Sequence, residues 1–166
     1  MSGDLAKKVE GLETRLQVLE DERAIMSTLN TYGHTIDYGL KAQWLDCFAE
    51  DAVYRVETSD VAVPELLGIA QPSTGLKGRA ALSAYISKHS SAPVRWHKHC
   101  LSEPVVRLEG GGQASAESYF MRLDEDENGA YILAFGRYRD QMVKSPDGKW
   151  RFQERICEIE SRPPRR

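Results

Sequence analysis

Apolar residues recur along the first part of the chain at steps of four and three. Leu5, Val9, Leu12, Leu16 and Leu19 form one such run, with Lys, Glu, Arg and Gln between them, which is the a/d seam of a coiled-coil heptad. The phase then shifts. Ile25, Leu29, Tyr32 and Ile36 continue from a new origin, as expected of a face buried against a domain body. One helix is predicted over residues 4 to 37, closed by Tyr38-Gly39, because glycine after the last turn accepts the left-handed conformation most residues avoid. Two heptads are too short to pair stably alone. The segment from Leu5 to Leu19 is therefore expected either to pack on its own domain or to join copies in an oligomer whose main contact lies elsewhere.

A short helix from Lys41 to Phe48 is predicted next, with Trp44, Leu45 and Phe48 on one side, followed by a strand over Ala52-Val53-Tyr54-Arg55-Val56. Residues 59 to 76 carry two prolines, two glycines and several apolar side chains, a composition that suits a long loop lying over something apolar, such as a lid or pocket edge. A third helix runs from Ala80 to Lys88 with Leu82, Tyr85 and Ile86 as its stripe. From Arg95 the pattern is β: Arg95 to Leu108, Gln113 to Asp124, Ala130 to Val143 and Trp150 to Ser161. Each boundary has turn chemistry, Gly110-Gly111-Gly112, Asn128-Gly129 and Pro146-Asp147-Gly148, so consecutive strands should pair as antiparallel hairpins. The layout is α+β, one curved sheet wrapped round the helices.

With 166 residues the chain is the length of one domain, and 41% hydrophobic with 28% charged residues suits a packed core. A net charge of −3 supplies no broad positive field, so nucleic acid is not expected as a partner. No apolar run reaches the ~18 residues of a membrane span, and the N-terminus opens a charged stretch, so a cytoplasmic location and no membrane partner are expected. Cys47, Cys100 and Cys157 are widely spaced and are expected to be reduced, buried thiols.

The order of elements resembles the cone-shaped SnoaL-like domains of the nuclear-transport-factor-two superfamily. The segments that carry the likeness are Leu19-Glu20-Asp21-Glu22-Arg23-Ala24-Ile25 through Tyr32 and Asp37, Trp44-Leu45-Asp46-Cys47-Phe48-Ala49-Glu50-Asp51-Ala52-Val53-Tyr54, Lys77-Gly78-Arg79-Ala80-Ala81-Leu82, His99 ahead of Glu103-Pro104-Val105, and Gly148-Lys149-Trp150-Arg151-Phe152. The resemblance implies a single SnoaL-like domain over residues 1–166, a cone-shaped α+β barrel, with residues 1–20 as a helical extension and 162–166 as a loose tail. Within the superfamily the chain is most similar to the branch of scytalone dehydratase, bile acid 7α-dehydratase and hexachlorocyclohexane dehydrochlorinase. Those enzymes carry an Asp at the end of the first helix and a His on the first meander strand, and Asp37 and His99 occupy these places. Tyr32 stands where the bile acid dehydratases carry a Tyr. Glu103 replaces an Asn found in many relatives, and a second active-site His of scytalone dehydratase has no counterpart.

Asp37 in the last helical turn meets the negative end of the macrodipole, a placement that calls for compensation. As a functional group it would fix the tautomer of an inward imidazole; as a plain one it would be solvated or cap loop amides. His97, His99 and Leu101 share one face of their strand, and His99 is assigned as the base, with Asp37 and Tyr32 as its catalytic partners; the plain readings are a His99 bonded to a backbone carbonyl and a Tyr32 that is a core aromatic of the Ile25-Leu29-Ile36 stripe. His97, Tyr54, Trp44 and Leu101 are assigned to the substrate pocket, and His34 and His89 to the surface. The spacing His97-x-His99-x3-Glu103-x6-Gly110 matches the first cupin metal motif, but no His follows His99 to complete a three-His site, so neither metal nor cofactor is expected. Arg137, Arg139 and Arg155 are placed on a solvated face or in ion pairs, with binding of an acidic substrate group by one of them as the alternative.

The expected function is a cofactor-independent acid–base enzyme on a small, largely apolar substrate, a dehydratase-type lyase with a His–Asp dyad, in a homo-oligomer of two or three copies. The alternatives are a double-bond isomerase using the same dyad and a non-catalytic ligand-binding or structural subunit, such as the small subunit of a ring-hydroxylating dioxygenase.

Overall fold

In the computed structural model, which describes residues 2–58 and 75–161, the chain begins with a helix of 36 residues, α1 (Ser2–Asp37). Its second half docks through Ile25, Leu29, Tyr32 and Ile36, all essentially buried, so the phase shift in the sequence marks where the helix meets the body. Fully burying each aliphatic side chain of that stripe stabilises the fold by roughly 1.5–3 kcal/mol. The docked half is pinned at its start by Asp21, whose carboxylate accepts bonds from Lys144 Nζ at 2.7 Å and Trp150 Nε1 at 2.8 Å. Residues 3–20 are exposed throughout.

Gly39 follows α1 with a φ of +69°, and a second helix, α2 (Lys41–Asp46), begins two residues later. The first long strand, β1 (Phe48–Thr58), starts four residues before the predicted Ala52. Phe48 had been expected on the helix. It pairs instead with Phe152 and packs against Trp44 and Phe152, because the cross-sheet partner outweighs local helical spacing. The loop expected over residues 59 to 76 falls largely outside the described residues; its last residue, Leu76, and the following Lys77 form β2 (Leu76–Lys77), antiparallel to β1. Then come α3 (Gly78–Lys88) and the meander β3 (His97–Gly110), β4 (Gln113–Asp126), β5 (Gly129–Lys144) and β6 (Trp150–Ile159).

The strands form one six-stranded sheet in the order β2-β1-β6-β5-β4-β3. The meander pairs are antiparallel, as the turn chemistry requires, whereas β1 lies parallel to β6. The sheet curls into a cone without closing into a barrel, since β2 and β3 remain as its two edges. Two local features bend it. Gly136 on β5 has the Glu158 carbonyl where a Cβ would stand, at 1.9 Å, so β5 and β6 approach there only because the side chain is missing. On β3 the register slips between Ser102 and Val105, and Glu103 within that bulge takes a φ of +51°. The concave face holds the core, an aromatic cluster of Tyr32, Trp44, Phe48, Tyr54, Tyr138 and Phe152. Cys47 and Cys157 are buried as expected, but Cys100 is exposed, because it faces away from the cone on the edge strand.

Candidate active site

The site is set by how closely α1 approaches β3. A Cβ on Gly33 would lie 2.8 Å from the His99 backbone oxygen, so glycine is what lets the helix lie against this strand. Asp37 stands one turn further along the same face, and its carboxylate reaches His99 with both oxygens. Oδ2 accepts the His99 backbone N–H at 3.0 Å, and Oδ1 lies 2.6 Å from Nδ1. These contacts are the compensation that a carboxylate at a helix C-terminus needs. Burial works to raise the Asp37 pKa, but the hydrogen bonds it accepts from His99 outweigh it and hold the carboxyl below its ordinary value. An ionised carboxylate can only accept, so Nδ1 carries the proton and Nε2 keeps its lone pair. Burial pushes the His99 pKa down, and Asp37 reverses only part of that effect, so the ring is neutral at pH 7.

Tyr32 lies within the aromatic cluster, its ring centroid 6.5 Å from that of His99 in an edge-on arrangement. Its hydroxyl lies 3.4 Å from that of Tyr54, and burial pushes its pKa far above the ordinary phenol value, so it is present as a proton donor. The Arg155 guanidinium stacks 4.1 Å from the centre of the Tyr32 ring and 3.8 Å from that of Tyr138. Arg155 is paired with Asp140, Nε to Oδ1 at 3.0 Å, as an ion pair was expected, but the pair lies wholly inside the core and not on a solvated face. Arg137 and Arg139 do lie in outward ion pairs, both with Glu158.

His97 is buried beside the dyad, with Nε2 3.5 Å from Asp37 Oδ1 and 3.3 Å from His89 Nε2. His89 is half-buried, not a surface residue as its helical position suggested. It is the C-cap of α3, and the extended backbone there turns its ring under β3, out of the helical periodicity. Burial, then the neighbouring imidazoles, lower the pKa of His89 to about 3 and of His97 to about 4. The donor atoms of Asp37, His97 and His99 lie within 4.8 Å of one another, a set that could hold a cation in principle. The 2.6 Å separation of Asp37 Oδ1 and His99 Nδ1 is that of a hydrogen bond, shorter than the ~3.3 Å edge of a tetrahedron built on metal–nitrogen bonds of ~2.0 Å. The trio therefore fits a proton better than an ion.

Two volumes border the dyad. A groove of about 280 Å³ between α1 and β3 is walled by Leu29, Tyr32, Asp37, Lys98, His99 and Leu101, and exposed His34 lies at its rim. Inside the cone a cavity of about 30 Å³ is walled by Tyr54, Tyr85, His89, His99, Arg122 and Tyr138 among others. Tyr32, His99 and Tyr138 stand between the two and touch both. Of the residues assigned to a pocket from the sequence, Leu101 lines the groove and Tyr54 the cavity, whereas Trp44 and His97 line neither and pack behind them. Arg122 was not foreseen. It is held by Asp124 (Nε to Oδ1, 2.9 Å), which also binds Arg95, and the only signal in the sequence was an Arg two residues before an Asp on one strand face.

Residues 17–156 match the family model described as a SnoaL-like domain, and the chain belongs to that family. It is similar to the beta 1 subunit of the terminal oxygenase component of terephthalate 1,2-dioxygenase from Comamonas sp., with 31% identity over 134 residues, 78% of this chain and 84% of the relative. An NTF2-like protein with a cystatin-like fold from Novosphingobium aromaticivorans superposes with a TM-score of 0.75 at 24% identity, covering 90% of this chain and 88% of that one. A candidate scytalone dehydratase from the same organism superposes with a TM-score of 0.66 at 20% identity, covering 86% of each chain. The expected family and α+β cone are thus correct. Among the described residues no helix is long and apolar enough to cross a membrane.

Proposed function

We propose that this protein is a cofactor-independent acid–base enzyme acting on a small, largely apolar molecule, as a lyase of the dehydratase type. The observation that carries the reading is the two-oxygen grip of Asp37 on His99, which fixes one tautomer and leaves Nε2 as a base. His99 Nε2 takes a proton from a carbon next to an electron-withdrawing group. The C–H electron pair forms the double bond, and the C–O pair departs with the leaving oxygen, which takes a proton from Tyr32 and leaves as water. Asp37 stabilises the imidazolium that forms. The groove beside His99 is close to the lower end of the ~300–1,000 Å³ typical of ligand sites, whereas the inner cavity has room for about one water molecule.

The test is turnover of a panel of activated β-hydroxy carbonyl compounds and alkyl halides by the wild type, His99→Ala and Asp37→Asn. Loss of the base should abolish turnover, and loss of the carboxylate should reduce kcat by about 10²-fold or more. A β,γ-unsaturated carbonyl compound added to the panel and run in D2O tests double-bond isomerisation, since moving the double bond with this dyad delivers a proton or solvent deuteron to carbon without releasing water. No turnover on any member of the panel, with equal behaviour of all three proteins, would sink the reading. The similarity to an oxygenase beta subunit favours a second one, a structural subunit that assembles with a catalytic oxygenase partner. That reading expects co-purification with such a partner and no effect of Asp37→Asn on the activity of the assembly.

A further inference from the structure

The first five turns of α1 stand clear of the domain with an apolar stripe on show. Leu5, Leu12, Leu16 and Leu19 are 65%, 61%, 56% and 62% exposed, and Val9 is 45% exposed. Placed in a heptad, Leu5, Leu12 and Leu19 are d positions, and Val9 and Leu16 are a positions. The flanking g positions are then Lys8 and Arg15, and the e positions Glu13 and Glu20. In a parallel, in-register pair each g residue meets the e residue five further along on the partner, so Lys8 faces Glu13 and Arg15 faces Glu20, twice over by symmetry. In an antiparallel pair g meets g and e meets e. Like charges would then stand opposite on both flanks, so the charges select the parallel arrangement.

We infer that this seam is a docking surface for the same seam of a second copy of this chain, forming a short parallel coiled coil. The geometry of α1 allows it. At about 100° per residue, the mean direction of the stripe from Leu5 to Leu19 is about 140° round the helix from that of Ile25, Leu29, Tyr32 and Ile36. The two domain bodies therefore lie on the outer sides of the pair and do not collide. Val at one a position with Leu at every d position favours two strands. Length is less of an obstacle than in a free peptide, since the docked half of α1 and the Asp21 anchor already hold this helix folded.

The orientation is read by cysteine crosslinking in a Cys100→Ser background. In the parallel pair Leu19 meets its own copy, whereas in an antiparallel pair, where a meets d, it meets an a residue such as Val9, about 15 Å along the helix from the other Leu19. Under mild oxidation Leu19→Cys should run as a covalent dimer, and Thr14→Cys, at the outward f position, should not. Adding Lys8→Glu with Arg15→Glu, or Glu13→Lys with Glu20→Lys, should abolish the Leu19→Cys crosslink in each protein alone. Mixing the two charge-reversed proteins should restore it as a heterodimer. Absence of the Leu19→Cys dimer, equal crosslinking through Thr14→Cys, or indifference to the charge reversals would each overturn the inference, and none of these outcomes depends on catalysis.

Discussion

Gly33 decides more than its size suggests. In a helix interior Ala is normally better than Gly by about 1 kcal/mol, so a surface argument would expect Gly33→Ala to stabilise the protein. Here the new methyl would meet a backbone oxygen at 2.8 Å, and strand and helix would have to part. Gly33→Ala should therefore destabilise by about 1–3 kcal/mol, read from the denaturant midpoint, and should weaken the Asp37–His99 contact. A stabilised variant with an unchanged His99 titration would contradict this account of the site. At the same scale, Asp37→Asn removes the anion that supports the imidazolium, so the His99 pKa, already below its ordinary value, should fall further in an NMR titration. The acid limb of kcat/KM, expected below pH 6.5 in the wild type, should move in the same direction. Asp37, His99 and Tyr32 were nominated in the sequence by their match to the Asp, His and Tyr of the dehydratases it resembles, whereas helix and strand periods alone left each with a plain structural reading. Gly33, His89 and Arg122 could not be picked at all, because each matters through a contact with a residue distant in the chain.

At the scale of the elements, the meander was legible to within two residues at every strand end, since turns rich in Gly, Asn and Asp punctuate long alternating runs. β1 was not, because Phe48 has the spacing of a helical residue and is drawn into the sheet only by β6. The bulge on β3 was invisible for a related reason: nothing in Ser102-Glu103-Pro104-Val105 announces that an acidic residue will adopt the left-handed region. That conformation costs a non-glycine residue roughly 1–2 kcal/mol, and Asn tolerates it better. Glu103→Asn should stabilise the protein by a few tenths to about 1 kcal/mol in urea denaturation, with the register of β3 and β4 unchanged. A loss of stability would show that the exposed Glu103 side chain does something the backbone argument omits.

For the molecule as a whole, the three inward histidines set the response to acid. His89, His97 and His99 all titrate lower in the fold than the ordinary 6.5, mainly because burial disfavours their charged forms. The unfolded chain therefore binds more protons than the native one below that pH. Stability conferred by the neutral imidazoles is complete above pH 6.5 and is lost progressively as the pH falls toward about 3. Denaturant midpoints measured from pH 7 to 4 should decline, and His97→Gln should flatten the decline by up to ~1.4 kcal/mol per pH unit. An unchanged slope would mean that His97 takes up its proton without opening the fold.

The parallel pairing of β1 with β6 also bears on how the chain comes off the ribosome. α1, α2, β1, β2 and α3 precede the meander, yet the long partner of β1 is the strand that ends at Ile159. The early segments therefore wait, with β1 and the docking face of α1 uncovered, until β6 has been made. Closure of the cone is a late, non-local event, so folding should be slow for a domain of this length and sensitive to any pause in translation before β6. The same ordering means that the dyad, which needs both α1 and β3 seated against the finished sheet, is assembled only after β6 has joined it.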